Sequence, residues 1–372
     1  MNAFLNQFNI FRKSKKVEAE PSVESEDKPK ERPLTLDDYI GQESIKEQIR
    51  LKVNIAKNNE TAFCHTLLLG HAGAGKTTLA NIIAQEMNAP IYEYMGSDLN
   101  NIVFLYRVLD FMPENSILFI DEIHLLCKAS QEFLYSVLED CKLSTSDGTG
   151  KRLNKFTIIG CTTHAGLLNH PFMERFAWKP TLAPYNKSEM SELIKKLAAR
   201  KYKLNLNDDI ALSLAGLCQA TPRKAVHLIQ NFIEVASCLN NTKGSYDESI
   251  LTMDALTQTC KSLDIDPVLG LDRPFRDYLN ILQSEQGKPI GLKTLSTMCK
   301  QQDITVSNTI EPFLMLPNTE VPFNENNILT GPLVKVTRGG RVATQSASAY
   351  LRACKFLQEN HGWFPGETFV VN

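Results

Sequence analysis

Closely spaced cysteines are missing from this chain: the nine it has are scattered singly through 372 residues. That spacing excludes the paired-cysteine ligand sets of a structural zinc site and offers no disulfide framework, so a reducing cytoplasm is the expected setting. Charge of one sign is equally scarce, with 40 Lys and Arg set against 42 Asp and Glu, and no basic excess advertises a nucleic-acid partner. No apolar run reaches the length of a membrane span, and the N-terminus lacks the basic-then-apolar order of a secretory leader. No internal repeat is found, and no membrane partner is expected. What remains is an ordinary globular composition, 43% apolar, with length for two or three domains.

The pattern changes along the chain. Residues 1–30 are rich in charge, Pro and Ser after Phe11, cannot bury enough surface to fold alone, and read as a disordered tether. Over residues 31–183, strand-like apolar runs at 66–69, 117–120 and 156–159 alternate with helical patterns, the signature of a parallel sheet wrapped by helices. Residues 184–263 are helical throughout. Residues 264–372 mix helices with "LVKVTRGGRVAT", two β-rich runs flanking Gly339 and Gly340 that read as a hairpin.

Two motifs carry chemistry. In "LLLGHAGAGKTTLANIIAQEM", Gly70 is followed after four residues by Gly75, Lys76 and Thr77, with Gly73 and Thr78 in the same run. Such a loop turns backbone N–H groups towards a polyanion at a helix N-terminus, with Lys76 reaching the β and γ phosphates and the Thr77 hydroxyl suited to Mg²⁺. The second motif, "ILFIDEIH", is a β-rich run ending in adjacent carboxylates. Asp121 suits the Mg²⁺ shell and Glu122 the polarisation of an attacking water, because phosphoryl transfer needs positioning, charge neutralisation and one group on the nucleophile. ATP or GTP, with Mg²⁺, is the expected ligand of the two motifs.

With "RPLTLDDYIGQ" (residues 32–42), "FTIIGCTTHAGLL", "TPRKA", "GLKTL" and "GGRVAT" in this order, the chain resembles the RuvB family of AAA+ branch-migration motors from Arg32 nearly to its end. The resemblance implies an α/β, AAA+ P-loop ATPase core with a parallel sheet, an all-α lid and a C-terminal winged-helix domain. It also implies a homo-oligomeric ring of six, a nucleotide at each boundary, and activity on duplex or branched DNA in recombination and repair. Carried over, Thr162 matches the polar sensor, with Thr163 next in line one residue on. Arg175 matches the arginine finger, Arg223 the lid sensor and Tyr185 a tyrosine near the base, while Arg32 and Tyr39 fall in the segment covering the adenine. In the wing, residues 333–344, Lys335, Arg338 and Arg341 are available for phosphates; Arg341 matches a family DNA contact and Val336 stands at a second.

Three departures open a second reading. The stretch between Glu139 and the sensor strand is short and polar where the family's junction-binding adaptor, RuvA, docks, so that partner is in doubt. An insertion, "MLPNTEVPFNENNILT", reads as loop from its prolines and asparagines. Near the N-terminus, Gln7, Phe8, Asn9, Ile10 and Phe11 resemble a sliding-clamp-binding peptide on a tether. The alternative is thus a clamp-loader or helicase-loader-like ATPase that remodels a replication complex.

Overall fold

The computed structural model describes residues 35–143, 150–240, 248–317, 319–324, 327–364 and 367–371. The clamp-like peptide, Arg32 and the 144–149 tip lie outside these residues. Strands β1 (Thr66–Leu69), β2 (Ile91–Met95), β3 (Ile117–Asp121) and β6 (Thr157–Thr162) form one parallel sheet in the order β1-β6-β3-β2. A two-residue antiparallel ladder, β4 (Lys142–Leu143) with β5 (Lys151–Arg152), lies between β3 and β6 in sequence. Beyond β1, extended chain at Trp178 and Thr181 pairs in parallel and widens the sheet.

The central strands are apolar on both faces because both faces are covered. Leu67, Leu118 and Ile158 enter one core with Phe172, while Leu68, Phe119 and Ile159 enter the other with Ile49 and Ile83. Helices α1 (Glu43–Asn58), α2 (Lys76–Glu86), α3 (Ile102–Phe111), α4 (Lys128–Phe133), α5 (Tyr135–Asp140) and α6 (His170–Glu174) complete this core. The loop leaving β1 and the ends of β3 and β6 therefore share one edge of the sheet, where ligands of open parallel sheets bind.

The next four helices are α7 (Lys187–Tyr202), α8 (Asp208–Leu217), α9 (Pro222–Leu239) and α10 (Met253–Ser262). A capping box starts α7: Asn186 Oδ1 accepts from the Glu189 N–H (2.8 Å) and Glu189 Oε2 from the Asn186 N–H (2.9 Å). Then come α11 (Arg273–Ser284), α12 (Leu292–Met298) and α13 (Asp303–Thr305), which runs through a π turn, Val306–Ile310, into α14 (Glu311–Leu314). Two hairpins follow, β7 (Glu320–Asn324) with β8 (Asn327–Thr330) and β9 (Val334–Thr337) with β10 (Gly340–Ala343), and α15 (Gln345–His361) closes the fold.

The first hairpin corrects the expectation of a loop in the insertion. Pro322 is tolerated because each strand of a two-stranded ribbon is an edge strand, and two of the asparagines that read as loop punctuation, Asn324 and Asn327, pair with each other beside the turn. Lid and winged helix share one apolar core, in which Ile194 and Phe232 join Phe275, Leu279 and Tyr350. The fully buried Arg276 staples that core, donating to the Glu367 carboxylate (2.7 and 3.0 Å) and the Leu271 carbonyl (2.7 Å).

Candidate active site and nucleic-acid interface

The loop after β1 runs from Gly70 to Gly75, and α2 begins at Lys76 behind Gly75 in the left-handed region (φ 94°). Two glycines are required by close approach. A Cβ on Gly73 would stand 2.7 Å from the Thr221 methyl and 3.1 Å from Arg223 Cβ, and one on Gly75 2.8 Å from Tyr39 Oη. The first turn of α9 thus leans on the loop and brings Arg223 there, while Tyr39 closes the other side. The Tyr39 hydroxyl donates to the Ala74 carbonyl (3.4 Å) and pairs with Tyr185, and burial raises both phenols above their ordinary range.

Lys76 is 7% exposed and lies across the loop, Nζ donating to the carbonyls of Gly70 (2.8 Å) and His71 (2.9 Å). Burial lowers its ammonium pKa, and the neighbouring Cys161, Glu122 and Asp121 push it back up while Arg223 lowers it further. Lys76 therefore lies within electrostatic reach of two carboxylates and a second cation, beside a helix N-terminus whose first turn carries Thr77 and Thr78. This cradle fits a nucleotide polyphosphate: donors and positive charge converge, and side chains are excluded where phosphates must approach the backbone.

At the end of β3, Asp121 Oδ1 accepts from the Cys161 thiol (2.8 Å) and the Glu122 N–H (2.9 Å). Glu122 takes a left-handed backbone (φ 45°), which turns its side chain off the strand direction. Its Oε2 accepts from Thr163 Oγ1 (3.4 Å) and lies 3.2 Å from His124 Nδ1. The two threonines separate here. Strand residues alternate faces, so Cys161 and Thr163 reach the acid pair, whereas the Thr162 hydroxyl accepts from the His164 N–H (2.9 Å) and meets His124 Nδ1 (3.0 Å). Of the two, Thr163 is the hydroxyl that faces the acid pair. Cys161, His124 and His164 were not singled out in the sequence; period-two alternation along "IIGCTTH" was the available signal for Cys161.

Arg175, at the end of α6, stays on another surface of the chain. Its guanidinium packs over the Tyr135 ring (4.1 Å), Nε lies 3.0 Å from Glu139 Oε1, and the Pro171 carbonyl accepts from Nη1. The structure does not place it among the residues that surround the chain's own loop.

In the wing, Lys335 and Arg338 are exposed and form no ion pair among the described residues. Val336, between them, is 56% exposed. Arg341 departs from its expected role as a phosphate contact: Nε and Nη2 donate to Oε1 (2.8 Å) and Oε2 (3.2 Å) of Glu311, which is buried and also accepts from the Tyr278 hydroxyl (2.9 Å). The carboxylate holds the guanidinium above its usual pKa. The sequence showed a cation on a hairpin but not the acid beneath it.

A lid arginine resting on the phosphate loop, one strand from an acid pair, defines an AAA+ P-loop ATPase. Comparison with known proteins narrows the class. Residues 31–182 match the family model of the Holliday junction DNA helicase RuvB P-loop domain, and residues 268–319 that of the RuvB C-terminal winged helix domain. The chain belongs to the RuvB family. The Holliday junction branch migration complex subunit RuvB of Campylobacter jejuni subsp. doylei is 36% identical over 76% of this chain and 84% of its own length. That of Kosmotoga olearia is 33% identical over 87% of this chain and 91% of its own. The solved Thermotoga maritima RuvB Holliday junction branch migration motor superposes with a TM-score of 0.72 at 32% identity, covering 86% of this chain and 98% of that one. The winged-helix match ends where the β7–β8 hairpin begins. Among the described residues, no helix is long and apolar enough to cross a membrane.

Proposed function

We propose that this chain is the ATP-driven motor of Holliday-junction branch migration, working as a ring of six on duplex and branched DNA. One observation carries the reading: the helix that presents Arg223 to the phosphate loop belongs to a unit whose apolar core continues into the winged helix. A change at the loop therefore moves the wing as part of one packed body. The relatives' span over both loop and winged helix supports the same assignment.

Bound ATP and Mg²⁺ supply the transferable phosphoryl group and most of the charge neutralisation. Thr77 and Asp121 would hold the metal, and the loop N–H groups with Lys76 and Arg223 would hold the phosphates. Glu122 orients the attacking water and Thr163 fixes its carboxylate. Arg175 is assigned to a neighbouring subunit's site, since its own loop does not engage it. Lys335 and Arg338 are assigned to the DNA backbone, where contacts are independent of sequence and suit a travelling motor.

The relatives are named as one subunit of a complex, which supports a junction-binding adaptor. The short, polar stretch between Glu139 and β6 favours the second reading, a loader-type ATPase that remodels a replication complex on DNA. Steady-state ATPase activity with no DNA, linear duplex and a four-way junction, at two salt concentrations and with Glu122→Gln as blank, separates the two. Stimulation greatest on the junction and weakened by salt is the expected result; turnover indifferent to DNA refutes the motor.

A further inference from the structure

We propose that His124 and His164 are positioning residues of the hydrolytic centre, one holding the Glu122 carboxylate and the other setting the proton of the Thr163 hydroxyl. The inference rests on the assignment of Glu122 to the attacking water. It starts from a closed ring of side chains at the ends of β3 and β6. His124 Nδ1 lies 3.2 Å from Glu122 Oε2 and 3.0 Å from Thr162 Oγ1. Thr163 Oγ1 lies 3.4 Å from Glu122 Oε2 and 2.6 Å from His164 Nδ1. The two imidazoles meet edge to face, with centroids 4.9 Å apart.

Donor counting gives the ring its direction. A carboxylate only accepts, so at 3.2 Å from Glu122 Oε2 the favourable form of His124 carries its proton on Nδ1, the nitrogen that hydrogen-bonds Thr162 Oγ1 at 3.0 Å. The Thr163 hydroxyl has one proton, which goes either to Glu122 or to His164. With Nδ1 protonated, His164 donates to Thr163 and leaves the hydroxyl proton for Glu122. With the other neutral tautomer, His164 takes that proton and Glu122 loses a donor.

In the first arrangement the Thr163 hydroxyl donates to Oε2, and His124 Nδ1 stands 3.2 Å from the same oxygen. Oε1 has no hydrogen bond among the described residues, so one oxygen is pinned and the other is left to accept from water. Thr162 anchors the ring from beneath, accepting from the His164 backbone N–H (2.9 Å). Burial lowers the pKa of His124, keeping it a neutral donor around pH 7 despite the nearby carboxylate.

The test is steady-state ATPase kinetics of the full chain, with the binding of a fluorescent ATP analogue and the thermal midpoint measured on every variant. His124→Ala is expected to lower kcat about ten- to a hundred-fold by releasing the carboxylate, with KM and analogue affinity unchanged. His124→Asn, whose amide N–H stands where Nδ1–H did, is expected to recover most of that loss, whereas His124→Gln, which mimics the distal nitrogen, is not. His164→Ala and His164→Asn are expected to behave as the same kind of pair.

Equal rescue of His124→Ala by Asn and Gln, or a kcat within twofold of wild type in the alanine variants, overturns the proposal. Loss of analogue binding or of thermal stability in step with kcat does so too, since the histidines then only hold the fold. If the wild type hydrolyses ATP and Glu122→Gln hydrolyses it equally well, the assignment of Glu122 has failed instead, and the two failures are told apart.

Discussion

Replacing Arg341 by Met should destabilise the winged helix without changing how DNA binding responds to salt. Arg341 is the only cation described on Glu311, a carboxylate with 6% of its side chain exposed. Removing one partner of a buried pair leaves a buried charge and costs about 3–5 kcal/mol. The Tyr278 hydroxyl still donates to Glu311, so about 3 kcal/mol, the low end, is expected. A residue that touches no phosphate releases no counterion, so the slope of log affinity against log salt should stay as in the wild type. Lys335→Ala combined with Arg338→Ala should do the reverse, leaving stability near wild type and making the slope shallower by about 1.8, at roughly 0.9 per phosphate contact. Fluorescence anisotropy on a linear duplex at four salt concentrations gives the slopes, and urea unfolding gives the stabilities. If Arg341→Met makes the slope shallower by about 1 while stability holds, Arg341 leaves Glu311 to reach DNA and the reasoning is refuted.

Two further outcomes follow from the ATPase core. His65 Nδ1 accepts from the Ile158 N–H across β1 and β6 (2.9 Å), and burial pushes the imidazole pKa from 6.5 down to about 4. The unfolded chain binds the proton first, so this contribution is whole above pH 6.5 and is lost as pH falls towards 4. The loss is about 3 kcal/mol at most, and urea unfolding at pH 7 and pH 4.5 should show His65→Asn flattening part of it. Lys76→Ala and Arg175→Ala should each abolish ATPase activity alone, and a mixture under ring-forming conditions should regain some, because a mixed boundary can pair one intact loop with one intact finger. A mixture no more active than either variant would remove the role of Arg175 across the boundary.

Legibility followed the range of the interactions. The loop and the acid pair could be read because their chemistry sits in consecutive residues: Gly70 to Thr77, then Asp121 with Glu122. The strands could be read because buried parallel strands are apolar without interruption; β1 spans Thr66–Leu69 as expected. The β7–β8 hairpin was missed because a Pro and several Asn are loop signals until the partner strand is seen to leave one edge unpaired. The ion pair of Arg341 was not legible because its partner, Glu311, is thirty residues away and nothing in the sequence marks it as buried. That the choice between Thr162 and Thr163 could not be made from the motif has a third cause. A strand reverses every side chain with each residue, so a motif match one position out selects the opposite face.

If lid and winged helix move as one body, the hinge must lie where that body meets the ATPase core. Gln42 forms a clip at Ala183, the last residue of the core, next to the start of the lid: its Nε2 donates to the Ala183 carbonyl (2.6 Å) and its Oε1 accepts from the Ala183 N–H (3.0 Å), a two-bond pairing of the kind one strand makes with another. Two residues further on, Tyr185 meets Tyr39 beside the phosphate loop, so clip and nucleotide cover share a short segment. Gln42→Ala removes both bonds, about 1–3 kcal/mol at 0.5–1.5 each. The expected result is a raised KM for ATP with duplex affinity unchanged, because the wing is built on Glu311, Tyr278 and Arg341 and none of these touches the clip. Were Gln42→Ala to weaken DNA binding as much as ATP binding in the absence of nucleotide, the clip would be holding the wing itself, and the hinge would have to lie within the core that lid and winged helix share.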